Sequence, residues 1–263
     1  MRIKEKHLII ANFKMYLSGK GQVSQWLRNF DRDSKNLELI ESRLVLCPPA
    51  VSLADFASNI ELDCVSFGAQ DCFWQDEGAY TSGLGSKMVS SYGGKFVILG
   101  HSERRKYFGE TDEAVSHKTS LAVKNRLHPI LCVGENADEK RREETKEVLL
   151  NKLEKNLQFI GKGTIEEVVI CYEPIWAISA NNPDHLPTAN ELMEARVLIK
   201  KFLVGKYGQS AAERVRIIYG GSVDSKNYRE VCVESGMEGA LIGGASKMPY
   251  ELVKIAKIAE EGK

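Results

Sequence analysis

A carboxylate that closes a buried β-strand is well placed to take a proton, and Glu173 is such a residue. Val168 to Cys171 is a short, mostly β-branched run of the kind a strand covered on both faces requires, and Glu173 follows two residues later. Pro174 removes a backbone donor and fixes φ, so the ladder stops there and the Glu173 side chain is expected to be presented, not buried, where a loop begins. Other reactive types sit at comparable points. Asn12 and Lys14 follow the apolar run His7–Asn12, His101-Ser102-Glu103 follow Phe96–Gly100, and Cys132 and Glu135 lie around Pro129–Val133. Gly220-Gly221-Ser222 and Gly243-Gly244-Ala245-Ser246 end two further runs and open backbone N–H groups to an anion without Cβ obstruction, which suits a phosphate. Each alone has a plainer reading: a solvated glutamate, a histidine capping a helix, a tight glycine turn, and for Cys132 and Glu135 packing and an N-cap. Together they suggest a candidate base and other reactive side chains gathered near an anion cradle.

The elements that must position these groups are eight β-rich apolar runs: His7–Asn12, Arg43–Cys47, Cys64–Ala69, Phe96–Gly100, Pro129–Val133, Val168–Tyr172, Arg216–Tyr219 and Gly239–Ile242. Amphipathic or charged segments separate them, the alternation of βαβ units in a parallel sheet. No Pro/Gly/Ser-rich linker divides the chain, so the expected fold is α/β, one (β/α)8 barrel domain over residues 1–263 rather than an open doubly wound sheet. Asn136 to Asn156 carries charges at i, i+4 spacing and is expected to be the longest helical region, facing solvent. In such a barrel the strand C-termini converge on one face, where the polar residues named above collect.

Composition narrows the partners. The 36 Lys and Arg balance 36 Asp and Glu, so no global field draws nucleic acid or an anionic membrane. No apolar run reaches the ~20 residues of a membrane span, and Glu5 and Lys6 before a short apolar run do not make a secretory leader, so a cytoplasmic location is expected. The six cysteines lack CxxC or Cys/His ligand spacing; free thiols, no metal and no cofactor are expected.

Asn12-Phe13-Lys14-Met15, Val97–Arg105, Tyr172–Ile178, Tyr219–Val223 and Ile242–Ser246 resemble, in order and along nearly the full chain, the segments of the triosephosphate isomerase family. The resemblance implies interconversion of an aldose and a ketose phosphate through an enediolate. It implies Glu173 as base, His101 as neutral electrophile, Lys14 and Asn12 as oxyanion partners, and Glu103 as the group that holds Lys14. The phosphate would fall to Ser179, Ser222, Gly243 and Gly244, under a lid formed by the segment after the base, in a homodimer.

The sequence departs from the family in three places. Where the family continues Ile-Gly-Thr-Gly-Lys, this chain reads Ile178-Ser179-Ala180-Asn181-Asn182-Pro183-Asp184-His185-Leu186-Pro187, longer by one residue and without the glycines. In the loop Gly78–Leu84 the family's Thr is kept as Thr81, but its Glu, which pairs with the arginine after His-Ser-Glu, reads Gly83; Arg104 is expected to lack that partner. Phe13 and Tyr16 flank the lysine motif, Phe13 as packing and Tyr16 as packing or an edge of the site. The altered lid motivates an alternative, isomerisation of a larger tetrulose phosphate such as erythrulose phosphate. A non-enzymatic phosphate-binding protein is the remaining reading, against which Glu173, His101 and Lys14 all speak.

Overall fold

The computed structural model describes residues 3–178 and 185–262. Eight parallel strands, β1 (His7–Asn12), β2 (Ser42–Cys47), β3 (Val65–Ala69), β4 (Phe96–Leu99), β5 (His128–Val133), β6 (Val169–Tyr172), β7 (Ile217–Tyr219) and β8 (Gly239–Ile242), pair in chain order and close β8 onto β1. They coincide with the eight runs read from the sequence to about one residue at either end. Residues alternate between two cores. Leu8, Ile10, Val45, Cys47, Phe96, Ile98, Ile130, Cys132, Val169, Cys171, Ile218 and Leu241 form one cluster, and their strand neighbours, among them Ile9, Leu44, Val97, Leu131, Ile170, Ile217 and Ala240, belong to the other. The first set fills the barrel, the second packs under the helices. Carried one step past the strands, the inward parity falls on Glu173, Gly220 and Gly243, and in β1 on Asn12; all four line the same cavity at the strand C-termini.

The helices cover the outside. α1 (Lys20–Ser34) buries Val23, Trp26, Leu27 and Phe30, an i, i+3, i+4, i+7 stripe. Trp26 meets Phe13 edge-on at 4.9 Å between ring centroids and stacks on Phe30 at 5.1 Å, so Phe13 is a packing residue that pins the turn just past β1. α2 (Leu53–Asn59) and α3 (Ser86–Ser91) follow β2 and β3, and α4 (Ser102–Phe108) and α5 (Asp112–Lys124) follow β4. The charged stretch after β5 is not one helix. It divides into α6 (Ala137–Arg141) and α7 (Thr145–Asn156), because Glu143 adopts a left-handed φ of 58° that a continuing helix does not permit. Nor is it wholly solvent-facing or the longest: α7 buries Leu149, Leu153 and Asn156, and the longest helix is α8 (Ala189–Tyr207), with 19 residues. α9 (Gln209–Arg214) and α10 (Pro249–Glu261) complete the layer, with a π-helical stretch at Arg229–Glu234. Five of the six cysteines are buried, Cys64 being the half-exposed one.

Barrel closure depends on one glycine. Gly239 pairs with Leu8 at a φ of +135°, and a Cβ there would stand 2.0 Å from the Leu8 carbonyl oxygen. Gly239→Ala is expected to cost about 2–4 kcal/mol of stability by urea unfolding, through strain and a parted β1–β8 seam. An unchanged midpoint would show that the seam can shift without loss.

Candidate active site

The C-terminal ends of β1, β4, β6, β7 and β8 surround a cavity of about 690 Å³ lined by, among others, Asn12, Lys14, His101, Glu173, Ser222, Gly243 and Gly244. Of the sequence-predicted site residues, Glu103 adjoins it through Lys14, and Ser179 lies outside the described residues, as do Asn181 and Pro183 of the expected lid.

Glu173 is not presented to solvent as its strand-end position led us to expect; it is only 3% exposed. Burial is possible because donors meet it. The Ser102 N–H donates to Oε2 at 3.0 Å, the Ser102 hydroxyl to Oε1 at 3.1 Å, and His101 Nε2 lies 3.0 Å from Oε1. Two glycines admit its backbone: a Cβ on Gly134 would stand 1.9 Å from the Glu173 carbonyl oxygen, and one on Gly220 2.5 Å from Cys171 Sγ. Burial pushes the carboxyl pKa up, but the facing His101 and the Ser102 donors outweigh it and hold Glu173 below its ordinary value.

His101 is the N-cap of α4, and the Glu103 N–H points at its Nδ1 from 3.2 Å. Burial opposes charge on this ring and the Glu173 carboxylate favours it, the balance lying above the ordinary histidine value. A donor aimed at Nδ1 fits only the unprotonated nitrogen, so the neutral ring carries its proton on Nε2, toward the cavity.

Lys14 stands where the chain leaves β1, in a left-handed conformation (φ 49°) with its N–H on Asn12 Oδ1 at 3.0 Å. Its Nζ pairs with Glu103 Oε1 at 2.6 Å, the partner expected from the resemblance. A Cβ on Gly243 would come within 3.2 Å of Lys14 Cε, so glycine there lets the ammonium lie against the turn after β8. Among the described residues no atom lies within 4 Å of a Cβ on Gly244, which leaves that turn open to an anion.

Supporting contacts fill in what the sequence left open. Glu135 is fully buried, accepts from the Tyr172 hydroxyl at 3.0 Å and from Trp176 Nε1 at 2.8 Å, and so clamps the segment around Glu173. Cys132 is packing, opposite Cys171 in the β5–β6 register. Tyr219 is fully buried, its ring beneath Gly221, where a Cβ would overlap the hydroxyl. Sequence reasoning missed three residues. Ser102 was read as part of a motif and not as the holder of Glu173. Ser246 Oγ donates to the Asn12 carbonyl at 3.1 Å, and Gln70 Nε2 donates to the Lys14 and Cys47 carbonyls at 2.9 and 3.0 Å. Gln70 follows β3 directly, and that strand-end position was its signal. Arg104 is not left without a partner: it pairs with Asp71 (2.9 Å) and lies over Phe108.

A histidine held above its ordinary 6.5 contributes stability that is complete below that pH and lost as pH rises through the folded value. A carboxylate held below its ordinary 4.5 contributes stability that is complete above that pH and lost as pH falls through the folded value. The two overlap between pH 4.5 and 6.5. His101→Gln is therefore expected to cost most stability in that window, on the order of 1–3 kcal/mol by urea unfolding, and less by about pH 9. A loss that did not vary with pH would mean the pair carries no charge in the folded protein.

The sequence matches the family described as Triosephosphate isomerase over residues 7–259. Named relatives agree. The chain is 37% identical to a triosephosphate isomerase of Dictyoglomus turgidum over 252 residues, covering 96% of this chain and 99% of that one. It is 38% identical to one from Thermoanaerobacter sp. strain X514 over 248 residues (94% and 97%), and 40% identical to one from Moorella thermoacetica over 205 residues (78% and 81%). With its closed eight-stranded parallel barrel and these matches over nearly its whole length, the chain belongs to the triosephosphate isomerase family.

Proposed function

We propose that this chain interconverts D-glyceraldehyde 3-phosphate and dihydroxyacetone phosphate by moving a proton between adjacent carbons. The observation that carries the reading is the Glu173 carboxylate, buried beside His101 Nε2 in a cavity whose far wall is two glycine turns with Lys14 laid against one of them. Glu173 takes the proton from the carbon next to the carbonyl, and the electron pair of that C–H bond moves to form the enediolate double bond. Negative charge then builds on the former carbonyl oxygen, where the Nε2 proton of His101, Asn12 and the Lys14 ammonium stabilise it. Return of the proton to the neighbouring carbon gives the isomer, with no net change in electrons.

The substrate-free contacts bear on the strength of the base. Glu173 must leave Ser102 and His101 to reach a carbon-bound proton. Separation removes the donors that hold its pKa down, while burial, which pushes it up, remains; the same movement removes the carboxylate that draws the His101 ring toward its cation. Substrate entry thus makes a better base and a more securely neutral electrophile. Ser222, Gly243 and Gly244 are read as the phosphate cradle, with Ser179 joining from the lid. The relatives' shared name favours the triose over the tetrulose substrate.

We read the active form as a cytoplasmic homodimer. Among the described residues no helix is long and apolar enough to cross a membrane. Residues 77–83 are exposed throughout, and Met15 and Val51 are 92% and 89% exposed, apolar surface that a partner subunit would cover.

Glu173→Gln is expected to lower kcat by roughly 10²–10⁴-fold in an isomerase-deficient expression host while leaving KM and the unfolding midpoint near wild type. Retained turnover would remove Glu173 as the base. Light scattering during gel filtration is expected to give twice the 29.4 kDa chain mass, and a monomeric mass at micromolar concentration would overturn the dimer.

A further inference from the structure

The cavity does not end at the two glycine turns. Its lining continues over Tyr16, Lys226, Lys247 and Tyr250, none of which the isomerisation uses. Lys247 closes the 3-10 turn Gly244–Lys247 directly after the β8 glycines, and Lys226 lies four residues past Ser222 after β7. Each ammonium is therefore tethered just beyond a turn assigned to the phosphate. Both lysines are exposed, and among the described residues neither is in an ion pair.

The acids on the same wall are turned to other work. Asp224 Oδ1 accepts the N–H groups of Lys226 at 2.8 Å and Asn227 at 3.1 Å, and Glu251 Oε1 accepts that of Ser225 at 2.7 Å. Formally these two carboxylates balance the two lysines, so no long-range field results. The local asymmetry is what matters: one oxygen of each carboxylate is engaged by backbone donors, while among the described residues neither ammonium has an ion-pair partner and both can turn to a ligand.

Lys247 is also held. Its Nζ stands 4.5 Å from the centroid of the Tyr16 ring, and Tyr16 ends the same turn that carries Lys14, with its N–H on the Phe13 carbonyl at 3.1 Å. A flexible side chain from the β8 turn is thereby held beside the β1 turn at the cavity mouth, which answers what Tyr16 does beside the lysine motif.

On the reading that the two glycine turns hold the substrate's phosphate, we infer that Lys247, seated on Tyr16, is a capture residue for that dianion. It meets the phosphate at the mouth and helps to keep it against Gly243 and Gly244, with Lys226 reinforcing from the β7 side. Its ligand class is the phosphate monoester dianion, inorganic phosphate included. Its contribution is to binding; it transfers no proton.

Lys247→Met keeps an aliphatic stem over Tyr16 and removes the charge, whereas Lys247→Arg keeps both. The test is steady-state isomerase kinetics at about 0.01 M and about 0.3 M ionic strength, with inorganic phosphate as the competitive inhibitor. At low ionic strength Lys247→Met is expected to lower kcat/KM by about 3–10-fold and to raise the phosphate inhibition constant by a similar factor, with kcat retained. Both differences should shrink at the higher salt, Lys247→Arg should behave as wild type, and Lys226→Met should show a smaller effect in the same direction. Unaltered kcat/KM and phosphate inhibition in Lys247→Met at both salts would overturn the role, and so would a fall in kcat with phosphate inhibition unchanged, or a loss shared by Lys247→Arg. Failure of the underlying reading would look different: the unmodified protein itself would not be inhibited competitively by phosphate.

Discussion

A carboxylate can be taken out of water only where its oxygens are met by donors, and much of this active site follows from meeting that demand at Glu173. The donors come from the first turn of α4, so the β4–α4 junction has to stand beside the end of β6, and the intervening strand has to let it. That is the place of Gly134 after β5, while Gly220 after β7 makes room on the other side of β6; both would collide with the Glu173 segment or the strand beneath it if they carried a side chain. Glu135 holds Tyr172 and Trp176 on either side of Glu173, so the carboxylate is fixed through its flanking residues as well as its own contacts.

The cationic half of the site is built by a different means. Lys14 is delivered by a backbone conformation that non-glycine residues seldom adopt, and the surroundings over-determine it: Asn12 takes its N–H, Gln70 donates to its carbonyl, Glu103 takes its ammonium, and Phe13 is sealed in the aromatic cluster of α1. Glu103 reaches from the same helical turn that supplies donors to Glu173. One short helix thus fixes the separation between the Glu173 carboxylate and the Lys14 ammonium, through its N-cap His101 and its first two residues.

The eight strands could be read from the sequence because strands buried on both faces must be apolar throughout, and their ends could be read because Asn12, Glu173 and the glycines interrupt that pattern. The pairing of Lys14 with Glu103 came from the family resemblance and stands in the fold. Glu173 was misjudged as presented because a strand end says nothing about what its neighbours bring over it. The break between α6 and α7 was not legible, since Glu143 turns left-handed without the glycine that usually marks such a turn. Asp71 as the partner of Arg104 was equally hidden: it lies 33 residues away, at the end of another strand, and only barrel closure brings the two together.

Ser246 binds the carbonyl of Asn12 across 234 residues of sequence, and Trp26 of α1 donates to the Ser246 carbonyl. During synthesis, therefore, the lysine motif emerges first and waits for the last strand. A ribosome-bound chain holding β1 through β7 has Glu173, His101 and Lys14 in its sequence, but neither the β8 glycine turn nor the clasp that sets the β1 turn against it. An unfinished chain would thus lack one wall of the cavity, which is complete only when β8 meets β1.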